Sequence, residues 1–202
     1  MVREPVSRDV LFWYGNHHLI PVGRTPEALD AMERGLEGDP LNLLYRHHYA
    51  RGLRLAGKLD QAQSELRTIL EIDPSYPHAL GTLGLFCAQQ GRFEEALPLS
   101  EKAYALMPWS SLTGGQLAAT LLRTGNPSRA HVLVAELENG PGHGAPAGLA
   151  VFHALCGEID QAAQWAERAI EQRYMPFVHN LSPFFRATSS WPRLSKLMHL
   201  PS

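Results

Sequence analysis

The sequence predicts an all-α fold: a stacked array of five helix-turn-helix units over residues 1–173, followed by a closing tail over residues 174–202. Three observations predict it. A glycine recurs at Gly23, Gly57, Gly91, Gly125 and Gly157, at intervals of 34, 34, 34 and 32 residues. Five residues after each glycine stands an alanine: Ala28, Ala62, Ala96, Ala130 and Ala162. Between these markers the apolar residues recur at helical spacing, as in Leu59, Ala62, Leu66, Ile69 and Leu70, or in Leu80, Leu83, Gly84 and Cys87.

Each column has a physical reason. Glycine ends the first helix of a unit in a backbone conformation that a Cβ would oppose. Two antiparallel helices approach closely only where side chains are tiny, so the alanine of the second helix marks their contact. Its partner on the first helix is a small residue seven positions before the glycine: Ala50, Gly84, Ala118 and Ala150, with Asn16 as the exception. A proline follows 17 residues after the first three glycines, at Pro40, Pro74 and Pro108, where it stops the second helix. One such pair cannot cover its own apolar face, so neighbours must stack and share a core.

The units run over about 9–42, 43–76, 77–110, 111–142 and 143–173. The first opens on "VLFWY", apolar on too many sides for a terminal helix facing water. Two readings stay open: upstream repeats precede it in a longer protein, or a second copy covers it in a homodimer. The third unit is the most regular. The fourth ends in "ENGPGHGAPAG", where the proline exit is missing and the register loses two residues, so an irregular loop is expected. In the tail, Phe177, Phe184, Phe185 and Trp191 would cover the exposed face of the last unit, with a short helix at the end.

At these spacings the glycine, alanine, small-residue and proline columns resemble the tetratricopeptide repeat. That resemblance implies a right-handed superhelical solenoid whose first helices line a concave groove, and a non-catalytic role in binding a peptide or partner segment there. The tail is similar to the segment that closes the repeats of large bacterial signalling proteins, through Pro183, Phe184, Arg186, Trp191, Pro192, Leu194, Leu197, Met198 and Leu200. This implies an alternative: a C-terminal sensor or scaffold region of a larger signalling enzyme or transcription regulator.

Carrying the groove positions of the family onto this sequence gives peptide-binding candidates Trp13, Tyr14 and His17 in the first unit, and Leu44, His47, His48, Arg51 and Arg54 in the second. The third adds His78 and Thr82, the fourth Gln116 and Arg123. His47, Arg51 and Arg54 fall at i, i+4 and i+7, one stripe on one helix face. Two readings of that stripe stay open, a holder for an acidic segment or C-terminal carboxylate, and an ordinary solvated face. Some members of the family clamp chaperone tails with Lys, Asn, Asn, Lys and Arg. The matching positions here are Trp13, His17, His48, His78 and Thr82, so chaperone-tail binding is not expected.

The remaining chemistry is expected to be absent. There is no phosphate loop, no GxSxG elbow and no HExxH, so no catalytic residue and no cofactor is expected. The adjacent pairs His17–His18 and His47–His48 point about 100° apart on a helix and cannot chelate one ion, so no metal site is expected. Glu94, Glu95 and Asp160 follow the glycine turns, where carboxylates meet the positive end of a helix. Cys87 and Cys156 match no metal or redox spacing and read as small buried hydrophobes. A net charge of −2 gives no general attraction to nucleic acid or anionic lipid. With no 18-residue apolar run and no secretory signal, the expected compartment is the cytoplasm. The 15 Arg against 3 Lys in a chain rich in Ala, Leu, Gly and Pro match the usage of a GC-rich bacterial gene.

Overall fold

A computed structural model describes residues 7–140, 144–172, 184–185 and 188–197. Its regular elements are helical, and no strand occurs among the described residues. The helices are α1 (Arg8–Tyr14), α2 (Thr25–Leu36), α3 (Leu43–Leu55), α4 (Leu59–Ile72), α5 (Pro77–Gln89) and α6 (Phe93–Leu106). They continue as α7 (Ser111–Arg123), α8 (Pro127–Asn139), α9 (Ala145–Cys156), α10 (Ile159–Glu171) and α11 (Trp191–Leu197). The chain divides into two compact units, one ending at Pro74 and the other beginning at Ser75.

The glycine column sets the turns. Gly23, Gly57, Gly91, Gly125 and Gly157 all lie in the left-handed region, with φ between 75° and 85°. Each turn closes with the same two hydrogen bonds. The glycine N–H donates to the carbonyl three residues back, and the next N–H donates to the carbonyl five residues back, as in Arg92 N to Cys87 O at 2.9 Å. This is the Schellman arrangement, which satisfies carbonyls that the helix end would otherwise orphan. The column is therefore a backbone requirement repeated five times.

The alanine column lies where close packing demands it: Ala28, Ala62, Ala96, Ala130 and Ala162 are each fully buried. On the first helices, Ala50, Ala118 and Ala150 are equally buried. At Gly84 an added Cβ would stand 3.2 Å from Leu99 Cβ, so the two helices meet almost backbone to side chain.

The exception at Asn16 has a structural cause. Residues Gly15–Leu19 form a π-helical turn that continues α1, with Ile20 N donating to Gly15 O at 3.1 Å. A π-turn inserts one residue into a helix. The small position consequently moves to Gly15, where a Cβ would meet Ala28 O at 2.7 Å.

In the first unit the core is built on Phe12, Met32 and Tyr45, with Trp13, Leu36 and Tyr49 packed around them. Phe12 and Tyr45 stack with centroids 3.9 Å apart. In the second unit α7 and α9 cross on glycine, Gly115 against Gly148. Of the tail residues named from sequence, Phe177, Pro183, Arg186, Met198 and Leu200 lie outside the described residues. Phe185 and Leu194 are fully buried, and Arg193 Nη2 pairs with Glu167 of α10 at 2.6 Å.

Candidate functional site

Eight of the residues proposed from sequence fall in the first compact unit: Trp13, Tyr14, His17, Leu44, His47, His48, Arg51 and Arg54. The structure brings three of them together. The indole of Trp13 stacks on the His17 ring, centroids 5.1 Å apart and nearly parallel. His48, across on α3, meets the same indole edge-on at 5.4 Å. Trp13 and His48 are half-buried and His17 is exposed, so the cluster presents a ring surface to solvent. The helix spacing of four residues and the π-turn together hold His17 over Trp13.

A base of buried aromatics fixes that surface. Trp13 packs edge-on against both Phe12, at 5.4 Å, and Tyr45, at 5.5 Å. The Tyr45 hydroxyl donates to Asp9 Oδ1 at 2.8 Å, which ties α3 to the start of α1. Burial, with the Asp9 carboxylate adding to it, raises the Tyr45 pKa above its ordinary value. Sequence reading overlooked Tyr45 and Asp9 because neither sits in a groove position. Tyr14 lies apart from the cluster, exposed, with His18 at 5.6 Å.

The arginines of α3 differ from one another. Arg46 gives Nε to Pro40 O at 2.7 Å and Nη1 to Glu65 Oε2 at 2.5 Å. Arg54 is 5% exposed and has a partner. His47, 6% exposed, also has one. The stripe of His47, Arg51 and Arg54 is therefore no solvated helix face. Arg51 is half-buried, and its Nε is sealed from water with no hydrogen-bond partner. Burial alone lowers its pKa from the ordinary guanidinium value to about 10, which leaves it cationic at neutral pH.

The other four candidates, His78, Thr82, Gln116 and Arg123, lie in the second unit. His78 is exposed, with Tyr76 at 6.0 Å. The expectation that Gln116 faces a ligand is corrected: it is 4% exposed, and its Nε2 donates to Ser100 Oγ at 2.9 Å. Register places a residue on a helix face, but here the neighbouring α6 reaches across and covers it. Arg123 lays its guanidinium over the Phe93 ring, 4.5 Å from the centroid, and reaches the Leu155 carbonyl at 3.5 Å. It holds α7 to its neighbours.

The second unit also contains a surface that register did not flag. A cavity of about 260 Å³ opens among Tyr104, Trp109, Leu133, Glu136 and Leu137, with Trp109 77% exposed at its rim. Trp109 occupies the turn after Pro108, outside any groove position.

No group of three or more His, Cys, Asp or Glu side chains that could hold a metal ion occurs among the described residues. Cys87 is buried, and burial with the nearby Glu158 carboxylate pushes the Cys156 thiol up to about 11, far from thiolate reactivity. No helix among the described residues is long and apolar enough to cross a membrane.

Family profiles described as Tetratricopeptide repeat match residues 49–108, 88–140 and 147–168, together more than half of the sequence. The chain belongs to the tetratricopeptide repeat family. No curated protein matches it in sequence. Among solved structures it is similar to TTC0263, a tetratricopeptide repeat protein of Thermus thermophilus. That likeness has 20% identity and a TM-score of 0.63, covering 96% of this chain and 100% of the other. It is also similar to PilF of Pseudomonas aeruginosa, at 19% identity and a TM-score of 0.60 over 94% and 97% of the two chains. A tetratricopeptide repeat protein of Parabacteroides merdae gives 15% identity and 0.58 over 96% and 74%. At these identities the likeness is one of fold: an all-α tetratricopeptide solenoid, an architecture that generally mediates protein–protein interaction.

Proposed function

We propose that this chain is a non-catalytic interaction module that holds an extended peptide or partner segment on the first helices of its repeats, α1 and α3 above all. The observation that carries this reading is the Trp13–His17–His48 cluster. Packing within the unit consumes Phe12 and Tyr45, yet leaves part of these three rings available. Rigid aromatic anchors are the residue type that concentrates binding energy at interfaces. Selection from an unbiased peptide-display library against the full chain tests it. Bound peptides should lose at least about tenfold in affinity with Trp13→Ala, since anchor truncation typically removes more than ~1.4 kcal/mol. Unchanged affinity in Trp13→Ala and in His48→Ala would remove the reading.

A second proposal concerns the edge of α1. Val10 is 57% and Tyr14 47% exposed, four residues apart on one helix face. A second copy of the chain would cover this stripe. Light scattering should then show a dimer that Tyr14→Glu dissociates, and a monomer at all accessible concentrations rules it out.

A further inference from the structure

We propose that the cavity beside Trp109 is a binding site for an arginine side chain of a partner polypeptide: the guanidinium stacks on the Trp109 indole and donates to the Glu136 carboxylate. The site is built from α6 and α8, the second helices of the third and fourth repeats, and from the turn that enters α7. It uses no residue of α1 or α3 and does not rest on the reading above.

The cavity exists because the chain departs from its own repeat here. Tyr104, Trp109, Gly114 and Glu136 all line it. At the same positions 34 residues earlier the sequence has Leu70, Ser75, Leu80 and Lys102. Leu80 is a buried core residue. Gly114 in its place leaves a gap, since a Cβ there would reach only ordinary contact, 3.6 Å from Tyr104 Cε2 and 3.8 Å from Leu137 Cδ2. Tryptophan in place of serine sets an indole at the rim, and glutamate in place of lysine reverses the charge. Stacking of the repeats gains nothing from an indole left in water, whereas a side chain bound against it recovers that apolar area.

Size and charge select the occupant. At about 260 Å³ the cavity falls below the roughly 300–1,000 Å³ of a pocket for a whole small molecule and suits one side chain. Tyr104, Trp109, Leu133 and Leu137 supply apolar walls, and Glu136 supplies the charge. Among the described residues Glu136 makes no ion pair, while Arg129 of the same helix is taken by Glu101 at 2.9 Å. Burial, with the Glu136 carboxylate adding to it, raises the Tyr104 pKa above its ordinary value, so the field of that carboxylate reaches the ring-lined space. An aromatic cavity with one carboxylate selects a cation. Guanidinium suits it best, because it is planar and weakly hydrated, lies flat on an indole and gives a carboxylate two parallel hydrogen bonds. Lysine ammonium holds its water more strongly, and a quaternary ammonium has no N–H to donate. Among the described residues no lysine, arginine or histidine lines the cavity, so no side chain there balances the α-carboxylate of free arginine. The arginine is therefore one within a polypeptide, where that group is an amide.

The test follows the indole Nε1–Hε1 resonances of the full ¹⁵N-labelled chain at pH 7 and fixed ionic strength, with Trp109 assigned from Trp109→Phe. The probes are N-acetyl-arginine amide, its uncharged isostere N-acetyl-citrulline amide, N-acetyl-lysine amide, N-acetyl-leucine amide and free arginine. N-acetyl-arginine amide should give a saturable shift at Trp109 and bind at least about fivefold tighter than the citrulline probe, and tighter than the other three. Glu136→Gln should weaken that binding at least about fivefold, and as a change to an exposed side chain without an ion pair it leaves the fold intact. Gly114→Leu restores the residue of the preceding copy and should abolish the shift in a chain whose far-UV circular dichroism is native. No saturable shift at Trp109, citrulline binding as tight as arginine, or unchanged affinity in Glu136→Gln overturns the proposal. So does a retained shift in folded Gly114→Leu. Lysine, leucine or free arginine binding as tightly as N-acetyl-arginine amide assigns the cavity a different occupant and overturns it as well.

Discussion

Gly115 of α7 and Gly148 of α9 meet with no room for a side chain on either: a Cβ on Gly115 would lie 1.9 Å from the Gly148 carbonyl oxygen. The reverse is nearly as tight, with a Cβ on Gly148 falling 2.3 Å from the Ser111 carbonyl oxygen. Both obstacles are backbone, so neither can swing aside. Gly115→Ala and Gly148→Ala should each cost at least about 3 kcal/mol, beyond the ordinary range for overpacking. Gly81→Ala is the control, since its Cβ would find only contacts at 3.7 Å. It should stabilise by up to about 1 kcal/mol through helix propensity. Urea unfolding of the three variants checks the order.

The turn glycines predict a different and uniform cost. Added Cβ atoms at Gly57, Gly91, Gly125 and Gly157 would meet nothing within 4 Å, so the penalty is conformational alone. Alanine at any of the four should lose about 1–2 kcal/mol, the cost of the left-handed region for an L-residue. Asparagine should lose less, because its side chain tolerates that region. A spread of several kcal/mol among the four alanine variants would show that contacts, and not φ, govern the turns.

Ser100 and Gln116 form an isolated buried polar pair, 1% and 4% exposed. Ser100→Ala alone should cost about 1–3 kcal/mol by stranding the Gln116 amide. Ser100→Ala with Gln116→Leu should recover most of that loss, since replacing both partners by apolar groups is nearly neutral. Denaturant midpoints of the single and double variants measure the recovery.

Arg51 makes the opposite prediction from a structural residue. Replacing a half-buried cation whose Nε has no hydrogen-bond partner among the described residues with an apolar side chain of similar length should stabilise the free protein, so Arg51→Met should gain about 1–3 kcal/mol. The sign with pH follows from the lowered pKa. Below about 10 the guanidinium is charged in both folded and unfolded chains, so its cost is constant there. That cost declines only as pH rises above about 10. The gain of Arg51→Met should therefore be the same at pH 6 and pH 9 in calorimetry, and destabilisation at either pH would contradict it.

The fold was legible because its determinants are local. A glycine at positive φ and an alanine at a helix crossing are requirements of single positions, so they recur visibly in the sequence. Even the π-turn left a trace, as the one misfit, Asn16, in the small-residue column. The site was legible only in part. Register named Trp13, His17 and His48, whose rings meet in the structure. It could not reveal that Ser100 claims Gln116, that Phe93 claims Arg123, or that Arg51 Nε is left without a hydrogen-bond partner among the described residues. Pairing is decided by residues far away in sequence, and the periodicity of one helix carries no record of it.

The most direct measurement is hydrogen–deuterium exchange on the full chain, with and without a display-selected peptide. Binding on the first helices predicts slowed exchange across residues 8–20 and 43–55, and loss of that protection in Trp13→Ala. Protection confined to α8 and the cavity beside Trp109, with α1 and α3 unchanged, would contradict the account.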